Sequence, residues 1–184
     1  MSIELTVNGT AVIVTAAGDT PLLDVLRNHL DLKGSRYGCG LEQCGSCMVL
    51  IDGKAEYSCA RDVASVAGRC VETVESLASH PLRQAFLDEQ AGQCGYCLSG
   101  ILMSAKALLD TNDNPSRAEI VTALDSHLCR CGAHPRIVRA VEKAAVALRA
   151  PASGSHASGS HASGPHASGS HASGPHASDQ GTRQ

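Results

Sequence analysis

The chain is poor in aromatic side chains, with one Phe, three Tyr and no Trp among 184 residues. A folded part of about 150 residues must therefore build its core from Val, Leu, Ile and Ala, and metal-thiolate bonds would help where that core is thin. No run of about eighteen apolar residues exists, so no transmembrane segment is predicted. A formal net charge of -3 without a basic stripe argues against nucleic acid as a partner.

An export signal is also missing, because residues 1–14 have neither a basic start nor a continuous apolar stretch. Cysteines in a reducing compartment usually serve metal binding or catalysis, so a disulfide framework is disfavoured. We expect a cytoplasmic protein, with membrane association or export together with a partner as alternatives. A Ser-His-Asp set, a phosphate loop and paired carboxylates are all lacking, which predicts no substrate site in this chain.

Cysteine, by contrast, is abundant, and eight of the nine cysteines form two quartets. The first quartet is Cys39, Cys44, Cys47 and Cys59, spaced C-x4-C-x2-C with a lone cysteine after eleven more residues. This is the plant-type ferredoxin spacing for a 2Fe-2S cluster held by four thiolates. Gly38, Gly40 and Gly45 stand beside these cysteines, where a tight loop must turn backbone N–H groups toward anionic sulfur.

The second quartet is Cys94, Cys97, Cys129 and Cys131, a C-x2-C pair and a C-x-C pair. Apolar residues recur at helical spacing after Cys97, which places the first pair at a helix N-terminus, where the helix dipole should lower the thiol pKa. Cysteines two apart cannot face one point from within a helix, so a helix must break at 128–132. Gly132 suits the end of one helix, and Pro135 suits the first turn of the next.

Structural zinc stays open for both quartets, and more so for the second, because zinc also favours four-cysteine sites with C-x2-C pairs. Cys70 lies in a strand-like run and is predicted to be a small buried apolar residue, not a ligand. Four histidines outside the C-terminal repeat are predicted to be capping or surface residues, because the quartets already complete both sites: His29, His80, His127 and His134.

Strand and helix patterns divide the chain into an α+β fold of three parts. Residues 1–76 alternate as strands around Asn8-Gly9 and Asp52-Gly53, with one helix after Pro21, and predict a β-grasp, ferredoxin-like 2Fe-2S domain. Residues 77–150 predict a four-helix-bundle 2Fe-2S-binding domain with helices at 81–90, 97–110, 116–128 and 135–149; Ser116 and Glu119 form a capping-box pattern. Two cluster sites in adjoining domains indicate a conduit for electrons.

Residues 151–184 repeat a five-residue unit of Ala, Ser, Gly and His, with Pro in some copies, and carry His156, His161, His166, His171 and His176. The near absence of apolar side chains predicts a disordered tail, since burial cannot offset the entropy lost on ordering. Chelation of nickel, zinc or copper by the spaced histidines is the alternative.

Three segments, 37–47, 93–97 and 128–132, together resemble the small iron-sulfur subunit of the xanthine dehydrogenase family of molybdenum hydroxylases. The likeness covers nearly all of the predicted folded part. It is greatest to the small subunits of the isoquinoline 1-oxidoreductase and nicotinate dehydrogenase kind, which work without a flavin domain. The resemblance implies two 2Fe-2S clusters and no FAD in this chain. It also implies a large partner subunit that carries molybdopterin cytosine dinucleotide.

The resemblance further implies that electrons pass from the molybdopterin cofactor through both clusters to an external acceptor, for which a cytochrome c subunit or domain is preferred. The substrate would be an N-heteroaromatic such as nicotinate or isoquinoline, or an aldehyde. By motif match, Gln93 would hydrogen-bond the pterin, and Cys131 would ligate its cluster while touching that cofactor. Glu42 departs from the family, where glycine is common, and could lower the potential of the first cluster. An independent two-cluster ferredoxin or redox sensor, and a zinc-stabilised interaction module, are the alternatives.

Overall fold

The structure is a computed structural model that describes residues 1–150. A five-stranded mixed sheet forms its N-terminal part. The strands are β1 (Ser2–Val7), β2 (Thr10–Thr15), β3 (Met48–Ile51), β4 (Lys54–Tyr57) and β5 (Cys70–Glu72). Their order is β2-β1-β5-β3-β4, with β1 and β5 parallel and the other neighbours antiparallel. The tail predicted at 151–184 lies outside the described residues.

Both predicted hairpins are present, and their turns have the backbone that the sequence requires. Asn8 and Gly9 join β1 to β2 with φ of 49° and 79°, and Asp52 and Gly53 join β3 to β4 with the same pair of values. Two consecutive positive φ angles define the turn whose twist matches antiparallel strands, and Asn-Gly and Asp-Gly adopt it at low cost. The strand registers follow from these turns.

One short helix covers the inner face of the sheet. Helix α1 (Leu22–Asp24) continues as a π-helical turn over Val25–His29. Its apolar side faces a core made with alternating residues of the strands: Ile3, Leu5, Val7, Val14, Val49, Ile51 and Val71. Short 3-10 turns at Val63–Val66 and Val74–Leu77 flank β5 in the chain. Strands wrapped over one helix are the predicted β-grasp.

Four helices form the second part: α2 (Pro81–Asp88), α3 (Leu98–Thr111), α4 (Arg117–Leu124) and α5 (His134–Arg149). Their apolar faces enclose a separate core that includes Ile101, Ile120 and Ile137. The predicted caps are present, since Ser116 and Glu119 bond reciprocally at the start of α4 and His80 accepts from the Leu82 N–H at the start of α2. The predicted α+β class, with a helical bundle after the β-grasp part, is confirmed.

Helix α4 ends at Leu124, four residues before the predicted end at 128. A turn at Asp125 and Ser126 follows, closed by the His127 N–H on the Leu124 carbonyl at 3.1 Å. The apolar pattern alone could not show this early end, after which His127 and Leu128 lie against the loop that carries Cys44 and Gly45.

The two parts meet along α3, which packs on β3. Met103 of α3 is buried against Leu50 and Leu77, and Lys106 forms an ion pair with Glu72 at 3.4 Å. The predicted boundary at 76/77 stays a prediction. No helix within residues 1–150 has the length and apolar character needed to cross a membrane.

The prediction for Cys70 is wrong in one respect, because its side chain is exposed. In β5 the neighbouring Val71 points into the core at 1 % exposure. Since side chains alternate across a strand, Cys70 and Glu72 must point outward.

Candidate metal centres

The first quartet assembles at one end of the β3–β4 hairpin. Cys47 immediately precedes β3 and Cys59 follows β4, and the antiparallel register pairs Met48 with Tyr57, so both cysteines come to the same end. Both are buried, and Leu23 packs against them. Cys39 and Cys44 come from the loop between α1 and β3 and are only partly covered. The hairpin therefore supplies a buried pair of thiols and the loop a partly exposed pair.

Backbone N–H groups converge on the sulfurs of the loop pair. The N–H groups of Leu41 and Gln43 each lie 3.3 Å from Cys39 Sγ, and the Cys39 N–H lies 3.3 Å from Cys44 Sγ. The Leu41 N–H and then the Gln43 N–H lower the pKa of the Cys39 thiol to about 7. Burial, together with the neighbouring thiol of Cys59, raises the pKa of Cys47 to about 11.

The loop fits a thiolate-bound cluster at close quarters. A Cβ added to Gly38 would lie 2.5 Å from Cys44 Sγ, so only glycine lets the backbone approach this sulfur. Backbone N–H groups directed at anionic sulfur are the environment that iron-sulfur clusters use. Glu42, the residue that departs from the family pattern, has a φ of 55°, a left-handed conformation that glycine adopts at lower cost.

The second quartet joins the start of α3 to the loop between α4 and α5. Cys97 is buried at the position just before α3, and Cys94 is exposed three residues earlier. The loop brings Cys131 Sγ to 3.5 Å from Cys94 Sγ, and it brings the thiols of Cys129 and Cys97 within hydrogen-bonding reach. As predicted, the chain breaks its helix here, with Gly132 at a φ of 67° and Pro135 in the first turn of α5.

The prediction that a helix N-terminus lowers both thiol pKa values is wrong for Cys97. Burial is the largest influence on Cys97 and raises its pKa to about 12. The Tyr96 N–H and then the Cys131 thiol lower the pKa of Cys94. At Cys129 burial acts against ionisation, but hydrogen bonds led by the Ala133 N–H outweigh it and lower the pKa. The contacting thiols of Cys97 and Cys129 therefore differ, since the pKa of Cys97 is raised and that of Cys129 is lowered.

The thiols are arranged as pairs in both quartets. Within residues 1–150, no group of three or more His, Cys, Asp or Glu side chains is placed to hold a single metal ion. Tetrahedral zinc needs four ligands converging on one point, whereas a 2Fe-2S cluster shares its four thiolates between two irons. The paired thiols fit this division of four thiolates between two irons.

The loops that carry the two quartets touch each other directly. The Leu128 N–H donates to the Cys44 carbonyl at 3.1 Å, and Ser99 Oγ donates to the Ser46 carbonyl at 3.2 Å. The Tyr96 hydroxyl donates to the carbonyl of Tyr37, and the Arg36 guanidinium lies 5.3 Å from the Tyr96 ring centroid. Residues adjoining predicted ligands of one quartet thus bond to residues adjoining ligands of the other.

His127 lies within this contact, so the prediction that it is a surface or capping residue is wrong. Only 3 % of it is exposed, and its Nε2 lies 2.7 Å from Ser104 Oγ. Burial, with a smaller contribution from His134, lowers the pKa of His127 to about 4, so the ring is neutral near pH 7. The early end of α4 buries it, and the helical pattern around it gave no signal of that.

Gln93 lies beside the second quartet on an open groove of about 530 Å³. Its side chain is exposed in the loop before Cys94, and Phe86, Leu98 and Arg136 line the same groove. Cys131 is half-buried nearby. Both residues that the resemblance assigns to the pterin are therefore accessible from outside the chain.

Two family models match the chain and define its class. Residues 5–78 match the 2Fe-2S iron-sulfur cluster binding domain, and residues 71–142 match the 2Fe-2S binding domain. Together with the fold and the paired thiols, these matches define a protein with two 2Fe-2S-binding domains in one chain.

Individual relatives narrow the class to a family. The chain is 53 % identical to a nicotinate dehydrogenase subunit of Pseudomonas putida, across 82 % of this chain and 98 % of that one. It is 48 % identical to the alpha subunit of isoquinoline 1-oxidoreductase from Brevundimonas diminuta, across 78 % and 97 %.

A solved structure gives the same answer. A chain of quinoline 2-oxidoreductase from Pseudomonas putida 86 superposes with a TM-score of 0.77 at 36 % identity, covering 80 % of this chain and 94 % of that one. This chain belongs to the small iron-sulfur subunits of the xanthine dehydrogenase family of molybdenum hydroxylases. The predicted resemblance is confirmed, and the chain is the iron-sulfur subunit of an oxidoreductase.

Proposed function

We propose that this chain carries electrons from a molybdopterin cofactor in a large partner subunit to an external acceptor. When bound, the two 2Fe-2S clusters supply one-electron redox chemistry, so that the two electrons of substrate oxidation leave one at a time. Cys39, Cys44, Cys47 and Cys59 would hold one cluster; Cys94, Cys97, Cys129 and Cys131 would hold the other. The residues of this chain would hold the two clusters and set the distance between them.

The direct contact between the two ligand loops carries this proposal. Cys44 and Leu128 share a backbone hydrogen bond, and Leu128 is followed at once by Cys129. The contact therefore links a ligand of one quartet to the residue next to a ligand of the other. A carrier with one redox step needs no such link, whereas a relay between two partners does.

The entry side is proposed at the second quartet. Gln93, Cys94 and Cys131 reach the surface beside the open groove, where a side chain amide could donate to and accept from a pterin held by the partner. We propose molybdopterin cytosine dinucleotide as that cofactor. Its large subunit would cover the groove and keep water away from the site.

The exit side is proposed at the first quartet. Cys59 lines an open cavity of about 350 Å³ together with Leu23, Arg27 and Tyr37, and the loop around Leu41 is exposed. An acceptor docked here would approach the quartet beside Cys59. We propose a cytochrome c subunit or domain as the acceptor and a cytoplasmic location for this chain, since reduced thiols are needed to receive iron.

An N-heteroaromatic such as nicotinate or isoquinoline is the proposed substrate, bound by the partner. All three proteins compared above are named for a substrate with nitrogen in an aromatic ring. Aldehydes are the second candidate, since an aldehyde oxidoreductase of Megalodesulfovibrio gigas is also a relative, at 38 % identity.

Substrate-driven reduction tests the proposal. The chain is purified without oxygen together with whatever subunits remain bound to it, and nicotinate, isoquinoline and a set of aldehydes are added in turn while the visible iron-sulfur absorbance is followed. We expect bleaching with an N-heteroaromatic, and re-oxidation when oxidised cytochrome c is added. If dithionite bleaches the absorbance but no substrate does, and no large subunit co-purifies, an independent two-cluster ferredoxin is the better description.

A variant pair tests the entry side. Gln93→Ala should slow substrate-driven bleaching while leaving dithionite reduction unchanged, because it removes an amide from the groove but no ligand. Gln84→Ala is the matched control, since Gln84 is exposed on α2 and its side chain bonds to Asp88, away from the groove. Equal rates for both variants would contradict the role of Gln93.

A further inference from the structure

We infer that His127 is a positioning residue whose ring fixes the distance between the two thiol quartets. The inference rests on the proposed function, because the distance matters only if both quartets hold clusters. It concerns a residue that ligates nothing and lies between the turn of the first quartet and the helix that begins at the second.

The ring is wedged between two glycines that belong to different parts of the fold. A Cβ added to Gly45 would overlap His127 Nδ1 and lie 2.7 Å from Cε1, and a Cβ added to Gly100 would lie 3.2 Å from Cε1. Gly45 stands between Cys44 and Cys47, whereas Gly100 is in the first turn of α3, three residues after Cys97. The ring therefore contacts both ligand-bearing segments at once.

Close packing positions the His127 ring more than hydrogen bonding does. Ser104 Oγ is the partner of Nε2, while Nδ1 is buried without a hydrogen-bond partner among the described residues. A buried polar atom without a partner is unusual in folded proteins. On the side that faces Gly45 and Gly100, the ring is therefore held by the close fit of its atoms to the two glycines.

Volume at this point sets the position of the Cys44–Cys47 turn. The Gly100 backbone meets the Gly45 carbonyl directly, the Ser99 hydroxyl bonds to Ser46, and the Leu128 N–H bonds to Cys44. The His127 ring fills the space enclosed by these contacts. Without it, the turn can shift against α3, because packed interiors adjust when a side chain is removed.

Paramagnetic resonance of the full chain with both clusters loaded tests this inference. The reduced clusters interact magnetically, and the dipolar part of the splitting falls with the cube of their separation. The variants are His127→Ala, which removes the ring, and His127→Phe, which keeps a ring without nitrogen. His29→Ala is the control, because His29 is exposed at the end of the π-helical turn. Iron content, splitting and the two midpoint potentials are measured for each.

With iron content equal to the unmodified chain, we expect His127→Ala to alter the splitting and to shift the midpoint potential of the first-quartet cluster. His127→Phe and His29→Ala should match the unmodified chain. An unchanged splitting in His127→Ala would overturn the inference. If His127→Ala cannot be loaded, His127→Phe decides: a normal splitting supports positioning by ring volume, and an altered splitting overturns it. Absence of a second spin system in the unmodified chain would instead refute the proposed function.

Discussion

Gly100→Ala probes the backbone contact between the two parts of the fold. Gly100 is buried in the first turn of α3, and a Cβ there would overlap the Gly45 carbonyl oxygen and lie 2.9 Å from the carbonyl carbon. Real Cβ atoms essentially never come within 3.0 Å of other atoms. Because the obstacle is backbone, it cannot rotate aside as a flexible side chain would, and α3 or the Cys44–Cys47 turn must move.

Two opposing effects decide the size of the change. Alanine is a better helix former than glycine by about 1 kcal/mol, whereas overpacking a well-packed interior costs about 1–3 kcal/mol. Both atoms that clash belong to backbone fixed by neighbouring hydrogen bonds, so the upper part of that range applies. We expect a net loss of about 1–2 kcal/mol, which lowers the melting temperature by roughly 2–8 °C for a chain of this size.

Thermal melting of the iron-loaded chain, followed by circular dichroism and by visible absorbance, measures the loss. Gly18→Ala is the control, because a Cβ on Gly18 meets side-chain atoms instead of backbone, Ala64 Cβ and Met1 Sδ at 3.2 Å each, which need to shift by only a few tenths of an ångström. It should stay within about 0.5 kcal/mol of the unmodified chain. A melting temperature of Gly100→Ala at or above that of the unmodified chain would show that α3 does not pack tightly against Gly45. It would also contradict the direct contact between the two ligand loops.

Three further predictions concern ionisation and capping. In the iron-free chain, iodoacetamide at pH 7 should alkylate Cys39 before Cys47 and Cys97, because their thiol pKa values are about 7, 11 and 12; equal labelling by mass spectrometry would contradict the loop geometry. The pKa of His127 is lowered to about 4 in the folded chain. The stability that the neutral ring gives the fold is therefore complete above the pKa of about 6.5 in the unfolded chain, and it is lost as the pH falls toward 4. Between pH 7.5 and 5.5 the unmodified chain should lose about 1.4 kcal/mol more than His127→Phe in urea unfolding, and parallel losses would refute this. Ser116→Ala removes the cap of α4 and should cost about 1 kcal/mol in the same assay, whereas no loss would show that the cap does not stabilise the helix.

Local chemistry explains why much of this molecule could be predicted from sequence. The Asn8-Gly9 and Asp52-Gly53 turns dictate their hairpins, because few other residues tolerate two positive φ angles in succession. The break at Gly132 and the restart at Pro135 likewise follow from backbone preference. In each case the decisive interaction lies within a few residues of the signal.

The sequence-based predictions were wrong for residues whose burial depends on segments far away in the chain. The burial of His127 depends on Gly45, more than eighty positions earlier in the chain, so no local pattern could reveal it. Similarly, the raised pKa of Cys97 reflects tertiary burial that outweighs the helix terminus. Cys70 is outward because β5 is anchored by Val71 on its other face, a register that pairing with β1 and β3 fixes.

Metal and acid-labile sulfide analysis of the anaerobically purified chain, combined with paramagnetic resonance after reduction, tests the central claim that each quartet holds a 2Fe-2S cluster. Two such domains predict four irons and four sulfides per chain and two distinct spin systems after reduction. Zinc in place of iron, or a single spin system with half that iron, would contradict the account.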